Sequence, residues 1–362
     1  IMKRTLCALF ALLLLCGCAL ADVPVDGRIN ATKHGVLPEN SGIENSQNLQ
    51  ALIDEIAKTG GTIYIPAGEY LFAENGTQTI GSHCIKMRSN VSIVGDGERT
   101  VLKPVGESVY GMDMFYFNDY LDTGEAIYLE NCRFENFVID AFGTSCKVYT
   151  SAGKGFMFNL FRNCHWESVT VKYTDATGFG VDCPIDSSIQ DCIAIGCGKA
   201  ATEENGGASG FGIGYGYCDA ENMTIIDCYA EGNRKFGFFF EHQGRFNGEL
   251  YTAENVAGFR VTDCNAKGNL YNFGGIYAFS AVYENCVSDS PERAGVCLED
   301  CAGFVVNNCR FTDSKDFDIL TVGKVTGLVL IGNDSDTNRL SFGEVPADWV
   351  NTGNSWNEKS EG

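Results

Sequence analysis

Apolar and polar positions in this chain are organised around one recurring step. Seven times between residues 131 and 309 an Asn or Asp is followed directly by Cys: Asn131-Cys132, Asn163-Cys164, Asp191-Cys192, Asp227-Cys228, Asp263-Cys264, Asn285-Cys286 and Asn308-Cys309. An apolar residue stands three places before each cysteine, at Leu129, Phe161, Ile189, Ile225, Val261, Tyr283 and Val306. Another stands two places after, at Phe134, Trp166, Ala194, Ala230, Ala266 and Phe311, with Ser288 as the exception. Strand side chains alternate between two faces, so positions minus three, zero and plus two share an interior only if one residue breaks the alternation. Asn and Asp are the non-glycine residues that best tolerate the left-handed conformation, which predicts a sharp bend at that residue and an inward cysteine after it. The shortest spacings imply a unit of about 22 residues into which loops have been inserted. Stacked about 4.8 Å apart, such units make an all-β solenoid, a parallel β-helix with a cysteine column inside.

A second set of strands is anchored by glycine: Gly180-Val181-Asp182-Cys183, Gly212-Ile213-Gly214-Tyr215, Gly237-Phe238-Phe239-Phe240-Glu241, Gly274-Gly275-Ile276-Tyr277 and Gly295-Val296-Cys297-Leu298-Glu299. With the glycines level, Val181, Ile213, Phe238 and Val296, then Cys183, Tyr215, Phe240, Tyr277 and Leu298, face inward. The outer face carries the glycines with Asp182, Phe239, Glu241, Ile276, Cys297 and Glu299. Such a floor of small residues and carboxylates suits a long polymer, or alternatively lets a covering loop approach closely. On this count Glu299 lies two coils from Glu241 at the same lateral position, and Asp182 two coils the other way but displaced by two residues. Two strand spacings, roughly 9.6 Å, leave room for a water between two carboxyl groups.

Long insertions run from Phe142 to Gly155, Gly198 to Ser209 and Gln243 to Ala257, and solenoid loops on one face often build a binding site. The last follows Phe239-Phe240-Glu241-His242-Gln243-Gly244-Arg245. Here Glu241 and His242 are the acid/base candidates, with Asp182 and Glu299 as partners. Arg245 could clamp a sugar carboxylate and Phe239 could stack on a sugar ring, with Tyr215 and Tyr277 as further substrate contacts. The plain alternative is a polar turn with solvated charges.

Residues 32 to 104 resemble the pectate-lyase superfamily of right-handed parallel β-helix proteins. The resemblance rests on Thr32-Lys33-His34-Gly35-Val36, on Asn48 to Ile56 as a capping helix, on Gly60-Gly61-Thr62-Ile63-Tyr64-Ile65-Pro66-Ala67-Gly68-Glu69-Tyr70, and on Arg88 to Gly97. It implies a single-stranded right-handed coil. Leu49, Leu52, Ile53 and Ile56 form the helical face that would plug its open end. The superfamily spans lyases, glycoside hydrolases, epimerases and tailspikes, so fold alone does not select an activity. Its Gly-Asp-Gly-x-x-Asp-Asp stretch is absent, replaced by Pro38-Glu39-Asn40-Ser41-Gly42. The second half resembles secreted mannuronan epimerases, whose Tyr-Gly-Phe-Asp-Pro-His-Glu motif corresponds here to Phe179-Gly180-Val181-Asp182-Cys183-Pro184-Ile185. Only the glycine and aspartate of the chemical set survive, so an epimerase reading implies a degenerate site. The polygalacturonase signatures Asn-Thr-Asp, Gly-His-Gly and Arg-Ile-Lys are absent.

Lys3 and Arg4 followed by an uncharged run from Leu6 to Leu15 read as an export signal, residues 1–21, too short to span a bilayer. Leu14-Leu15-Cys16-Gly17-Cys18 resembles a lipobox that would place a lipid anchor on Cys18, and Ala19-Leu20-Ala21 an ordinary secretory site. The expected organisation is then 22–104 for the cap and first coils, 105–332 for the looped coils and 333–362 for a C-terminal cap. A formal charge of −21 argues against nucleic acid and against unaided binding of a polyanion. It fits a neutral polysaccharide, or an anionic one bridged by a divalent cation such as Ca²⁺. The zinc-type Cys-x-x-Cys spacing does not occur after the signal segment, and no metal site is expected. The column cysteines are expected as free thiols, small apolar fillers in an exported chain. The expected function is an exported polysaccharide lyase or glycoside hydrolase, secreted or held at a bacterial cell surface; the alternative is a non-catalytic glycan-binding module. Assembly as a trimer is left open.

Overall fold

The computed structural model describes residues 27–119, 123–202, 208–216, 218–242, 245–246, 249–250, 256–344 and 348–358. The export segment with Cys18 lies outside them, as does the side chain of Arg245.

Thirty-two strands form one continuous sheet wound as a right-handed parallel β-helix, and every ladder in it is parallel except one short hairpin, Gly76–Gln78 against Gly81–Lys86. The helix Gly42–Ile56 closes the N-terminal end, with Leu49, Leu52, Ile53 and Ile56 buried against the first coils. Its start is set by a capping box, Ser41 accepting from the Glu44 amide while Glu44 accepts from the Ser41 amide. The Pro38 to Gly42 segment is therefore a turn and a helix cap: Asn40 donates to the Gly35 carbonyl, 2.7 Å. No helix among the described residues is long and apolar enough to cross a membrane.

Each Asn or Asp of the repeated step is left-handed, with φ between 50° and 58°. Each following cysteine is buried, and its thiol donates to the carbonyl two residues before it, at 3.2–3.5 Å. In most coils that carbonyl also accepts the bend amide of the coil before, as Ile226 does from Asp191 at 3.0 Å, so the thiol adds a second donor to it. Neighbouring coils are tied at the same place: Cys192 N–H donates to Cys228 Sγ and Cys228 N–H to Cys264 Sγ, at 3.4 and 3.3 Å. Outside, Asn163 donates to Asn131, and Asn131 to Asn90, at 2.7 and 2.8 Å. Burial pushes the thiols of Cys228 and Cys264 well up, so they remain protonated donors. All fourteen described cysteines are free thiols.

The column outruns the cysteines. After Cys309 the bend residues are Gly332 and Gly353, and Asn333 and Asn354 take the inward place, with Cys309 N–H donating to Asn333 Oδ1 at 2.9 Å and Asn333 N–H to Asn354 Oδ1 at 2.8 Å. The tail therefore continues the repeat, contrary to the sequence expectation that it ends near residue 332, and Val350–Thr352 pairs with Val329–Ile331. Trp356 covers the last coil beside Phe311. A parallel bend column was missed in the sequence because no common residue supplies its left-handed turns. Its middle is Gly196-Cys197, Gly232-Asn233 and Gly268-Asn269, tied by Cys197 N–H to Asn233 Oδ1 at 3.0 Å and Asn233 N–H to Asn269 Oδ1 at 2.9 Å, and the left-handed Tyr173, Ser290 and Asp313 extend it on either side.

The glycine-anchored strands prove to hold two glycine columns, not one. Gly178, Gly210, Gly237 and Gly295 point inward, where a Cβ on Gly237 or Gly295 would lie 2.5 Å from the Asn272 carbonyl or the Phe311 ring. Gly180, Gly212 and Gly274 lie two residues further on, on the outer face, level with Phe239 and Cys297. Between the two columns runs a stack of aromatic rings, Phe115, Phe156, Phe179, Phe211, Phe238 and Phe273, with centroids 4.8–5.4 Å apart.

Asp227→Ala forces a residue with no local hydrogen-bonding group into φ 54°. It is expected to cost about 1 kcal/mol or more in urea unfolding, whereas Asp227→Gly stays close to the parent.

Candidate functional site

Correcting the register brings Asp182 into line. Asp182 pairs with Gly214, Gly214 with Glu241, Glu241 with Ile276 and Ile276 with Glu299, so the three carboxylates occupy one column. The two-residue displacement expected for Asp182 came from levelling Gly237 with Gly180, although Gly237 belongs to the inward column. Asp182 and Glu241 are thus two coils apart, with only the glycine at 214 between them. The Gly214 amide donates to Asp182 Oδ1 at 3.0 Å and fixes that carboxylate against the sheet.

Above this pair lies a cavity of about 130 Å³ whose floor is Gly180, Gly212 and Gly214 and whose walls include Asp182, Glu241 and Phe239. Lys154 and Ser151 enter from the first predicted insertion and Ser209 from the second. Lys154 crosses directly over Gly180, where a Cβ would sit 2.5 Å from its Cδ. Its backbone is held by Asp113, which accepts from the amides of Gly153 and Lys154 at 2.8 and 2.6 Å and from Gln78 at 2.7 Å. Burial pushes the Asp113 carboxyl up from the usual range, against the pull of those donors and the lysine charge. Among the described residues no group of three or more His, Cys, Asp or Glu is placed to hold a metal ion.

The rhamnogalacturonase A/epimerase, pectate lyase-like family profile matches residues 29–261. The chain belongs to that family. Among solved structures, it is similar to ORF18 of Geobacillus virus E2, at 15% identity and TM-score 0.64, covering 91% of this chain and 60% of that one. It is also similar to the A-module of a mannuronan C-5 epimerase from Azotobacter vinelandii, at 16% identity and TM-score 0.52, covering 90% of this chain and all of that one. A third is the tailspike of the E. coli bacteriophage HK620, an aspartate-and-glutamate double mutant in complex with a pentasaccharide, at 16% identity and TM-score 0.52, covering 91% of this chain and 66% of that one. These likenesses establish the parallel β-helix fold, and the chain spans under two thirds of the viral proteins' length. No curated protein sequence matches it.

Within this pectate lyase-like fold the other candidates disperse. Glu299 is half-buried in the carboxylate column, but the side chain of Ile276 intervenes, and Glu299 does not line the cavity. His242 does not stand at the groove beside Glu241. It is the last residue of strand Phe236–His242, 6% exposed, and its ring lies inside, 5.6 Å from Phe279 and 6.4 Å from Tyr215. Strand alternation explains this: a residue next to an outward glutamate faces in. Tyr215, level with His242, is fully buried; its hydroxyl accepts from the Phe279 amide at 2.8 Å and donates to the Phe279 carbonyl at 2.9 Å. It cannot reach a ligand on the outer face. Tyr277, expected inward, is left-handed (φ 53°) and exposed, one residue past the carboxylate column. The structure contributes Lys154, Thr177 and Ser209 to the cavity, which the sequence reading did not single out. The early insertion carrying Lys154 was the available signal.

Tyr215→Phe leaves the Phe279 amide and carbonyl without their partner. It is expected to cost about 1–2 kcal/mol in thermal unfolding while leaving glycan affinity unchanged.

Proposed function

We propose that this chain is an exported glycoside hydrolase that lays an extended glycan along the outer face of the β-helix and cleaves it between Asp182 and Glu241. The observation that carries this reading is the level placement of those two carboxylates across Gly214, above a glycine floor. Backbones two coils apart sit roughly 9.6 Å from each other, and side chains leaning inward bring the carboxyls into the spacing of inverting enzymes, where a water fits between. Glu241, with the longer side chain, donates a proton to the glycosidic oxygen as the bond to the anomeric carbon breaks. Asp182 accepts a proton from the water whose oxygen attacks that carbon from the opposite face. Phe239 offers an apolar ring to a sugar face, and Lys154 a cation to a ring substituent. Support also comes from relatives of the same fold: the HK620 tailspike holds a pentasaccharide, and another is named a capsular polysaccharide depolymerase. The export segment read in residues 1–21 puts the substrate outside the cytoplasm.

Asp182→Asn and Glu241→Gln are each expected to lower turnover at least 100-fold on whichever polysaccharide the parent cleaves, with oligosaccharide binding retained. Products carry new reducing ends of inverted configuration. Unsaturated products would replace hydrolysis by β-elimination, and a parent protein that binds glycans without cleaving any would leave a binding module in place of an enzyme.

A further inference from the structure

The same strands that carry the carboxylates begin at a second cavity of opposite character. It measures about 350 Å³ and is lined, among the described residues, by Arg234, Lys235 and Arg293 together with Thr202, Leu270, Tyr271 and one carboxylate, Glu292. Phe236 pairs with Tyr271 and Tyr271 with Ala294, so Lys235 and Arg293 are level and two coils apart. Lys235 Nζ lies 5.5 Å from the Phe236 ring centroid and the Arg293 guanidinium 5.9 Å from that of Tyr271. Among the described residues none of the three cations is engaged in an ion pair. In a chain of formal charge −21, three cations against one carboxylate among the described lining residues run against the prevailing charge.

An aromatic shelf joins the two cavities. Phe236 stacks on Phe239 with centroids 4.3 Å apart, and Phe239 walls the carboxylate cavity. Phe236, Tyr271, Ala294, Cys297 and Leu320 form an apolar cluster outside the main core, with Phe239, Leu270 and Ile276 packed on it. Six residue steps of extended chain lead from Lys235 to Glu241, at most roughly 20 Å, a span of a few sugar units.

We propose that Arg234, Lys235 and Arg293 form an anion subsite that holds a carboxylate or sulfate borne by the glycan, with a neighbouring sugar on the half-buried ring of Phe239, which the buried Phe236 backs from beneath. The inference rests on the glycan reading above and narrows it: the substrate is a polysaccharide charged at some of its sugars. Guanidinium and ammonium groups beside an apolar surface suit such an anion, and the subsite offsets locally the repulsion a polyanion meets from the rest of the chain.

The test measures binding by calorimetry in the Asp182→Asn background, using oligomers of a polyuronate, of a sulfated galactan and of a neutral glucan, at low and high salt. One of the two anionic oligomers is expected to bind at least tenfold tighter than the glucan, with the advantage shrinking in salt; which one does so identifies carboxylate or sulfate. Lys235→Gln/Arg293→Gln should remove that advantage without altering glucan binding or the melting temperature, and Arg293→Lys should keep most of it. Equal affinity for charged and neutral oligomers, no binding of either anionic oligomer, or an unchanged preference in the double variant overturns the proposal. Because the readout is binding, a parent protein that cleaves nothing sinks the hydrolase reading and leaves the subsite standing.

Discussion

The structure depends on a bend in which one left-handed Asn or Asp turns the chain and the next residue's thiol returns a hydrogen bond to the carbonyl two places back. A non-glycine residue in that conformation costs on the order of 1 kcal/mol, and it is accepted because the bend is stacked. Five amides of the column find a side-chain partner in the coil beside them: the Ser187 hydroxyl for Cys164, sulfur for Cys192 and Cys228, and asparagine oxygen for Cys309 and Asn333. Since the bends lie one above another, each strand starts at a fixed height and lateral position. Register is therefore dictated coil by coil, and with it the outward or inward sense of every residue downstream.

That constraint is what turns scattered acidic residues into a pair. Asp182 and Glu241 are separated by 59 positions in sequence, yet they stand level because their coils share both the bends and the phenylalanine stack. The intervening coil presents glycine at that point, so the space between the carboxylates is open. Two coils further on the same column presents Glu299, and there Ile276 fills the gap. Glycine in a strand weakens it, and here the loss coincides with the place where another molecule has room to approach. The cationic cavity at the opposite end of these strands gives the outer face a direction, positive on one bank and negative on the other, with aromatic rings between.

Much of this was legible before any coordinates. The seven Asn/Asp-Cys steps specify the bend, its handed residue and the inward thiol, because hydrophobic parity leaves no other arrangement. The N-terminal cap was equally readable from Leu49, Leu52, Ile53 and Ile56. What the sequence concealed was the meaning of individual glycines. Gly237 is inward because the Asn272 carbonyl leaves no space for a Cβ, and Gly212 is outward in a floor; nothing local distinguishes them. The repeated Gly-Phe-Gly at 178–180 and 210–212 holds both columns and would have set the register correctly. His242 attracted notice as a rare histidine beside a glutamate, but adjacency in a strand means opposite faces. The second bend column has no common residue pair to mark it, since Tyr173, Gly196, Gly232, Gly268, Ser290 and Asp313 supply its left-handed turns.

The most direct measurement is a crystal structure of the Glu241→Gln protein with an oligosaccharide bound. The account predicts the Asp182 carboxylate and the substituted amide facing each other across Gly214, roughly 6.5–9.5 Å apart, with a glycosidic oxygen between them and the sugar chain on the glycine floor. Residue 241 pointing into the core, Asp182 offset from it along the strand, or the glycan seated on another face of the β-helix would contradict it.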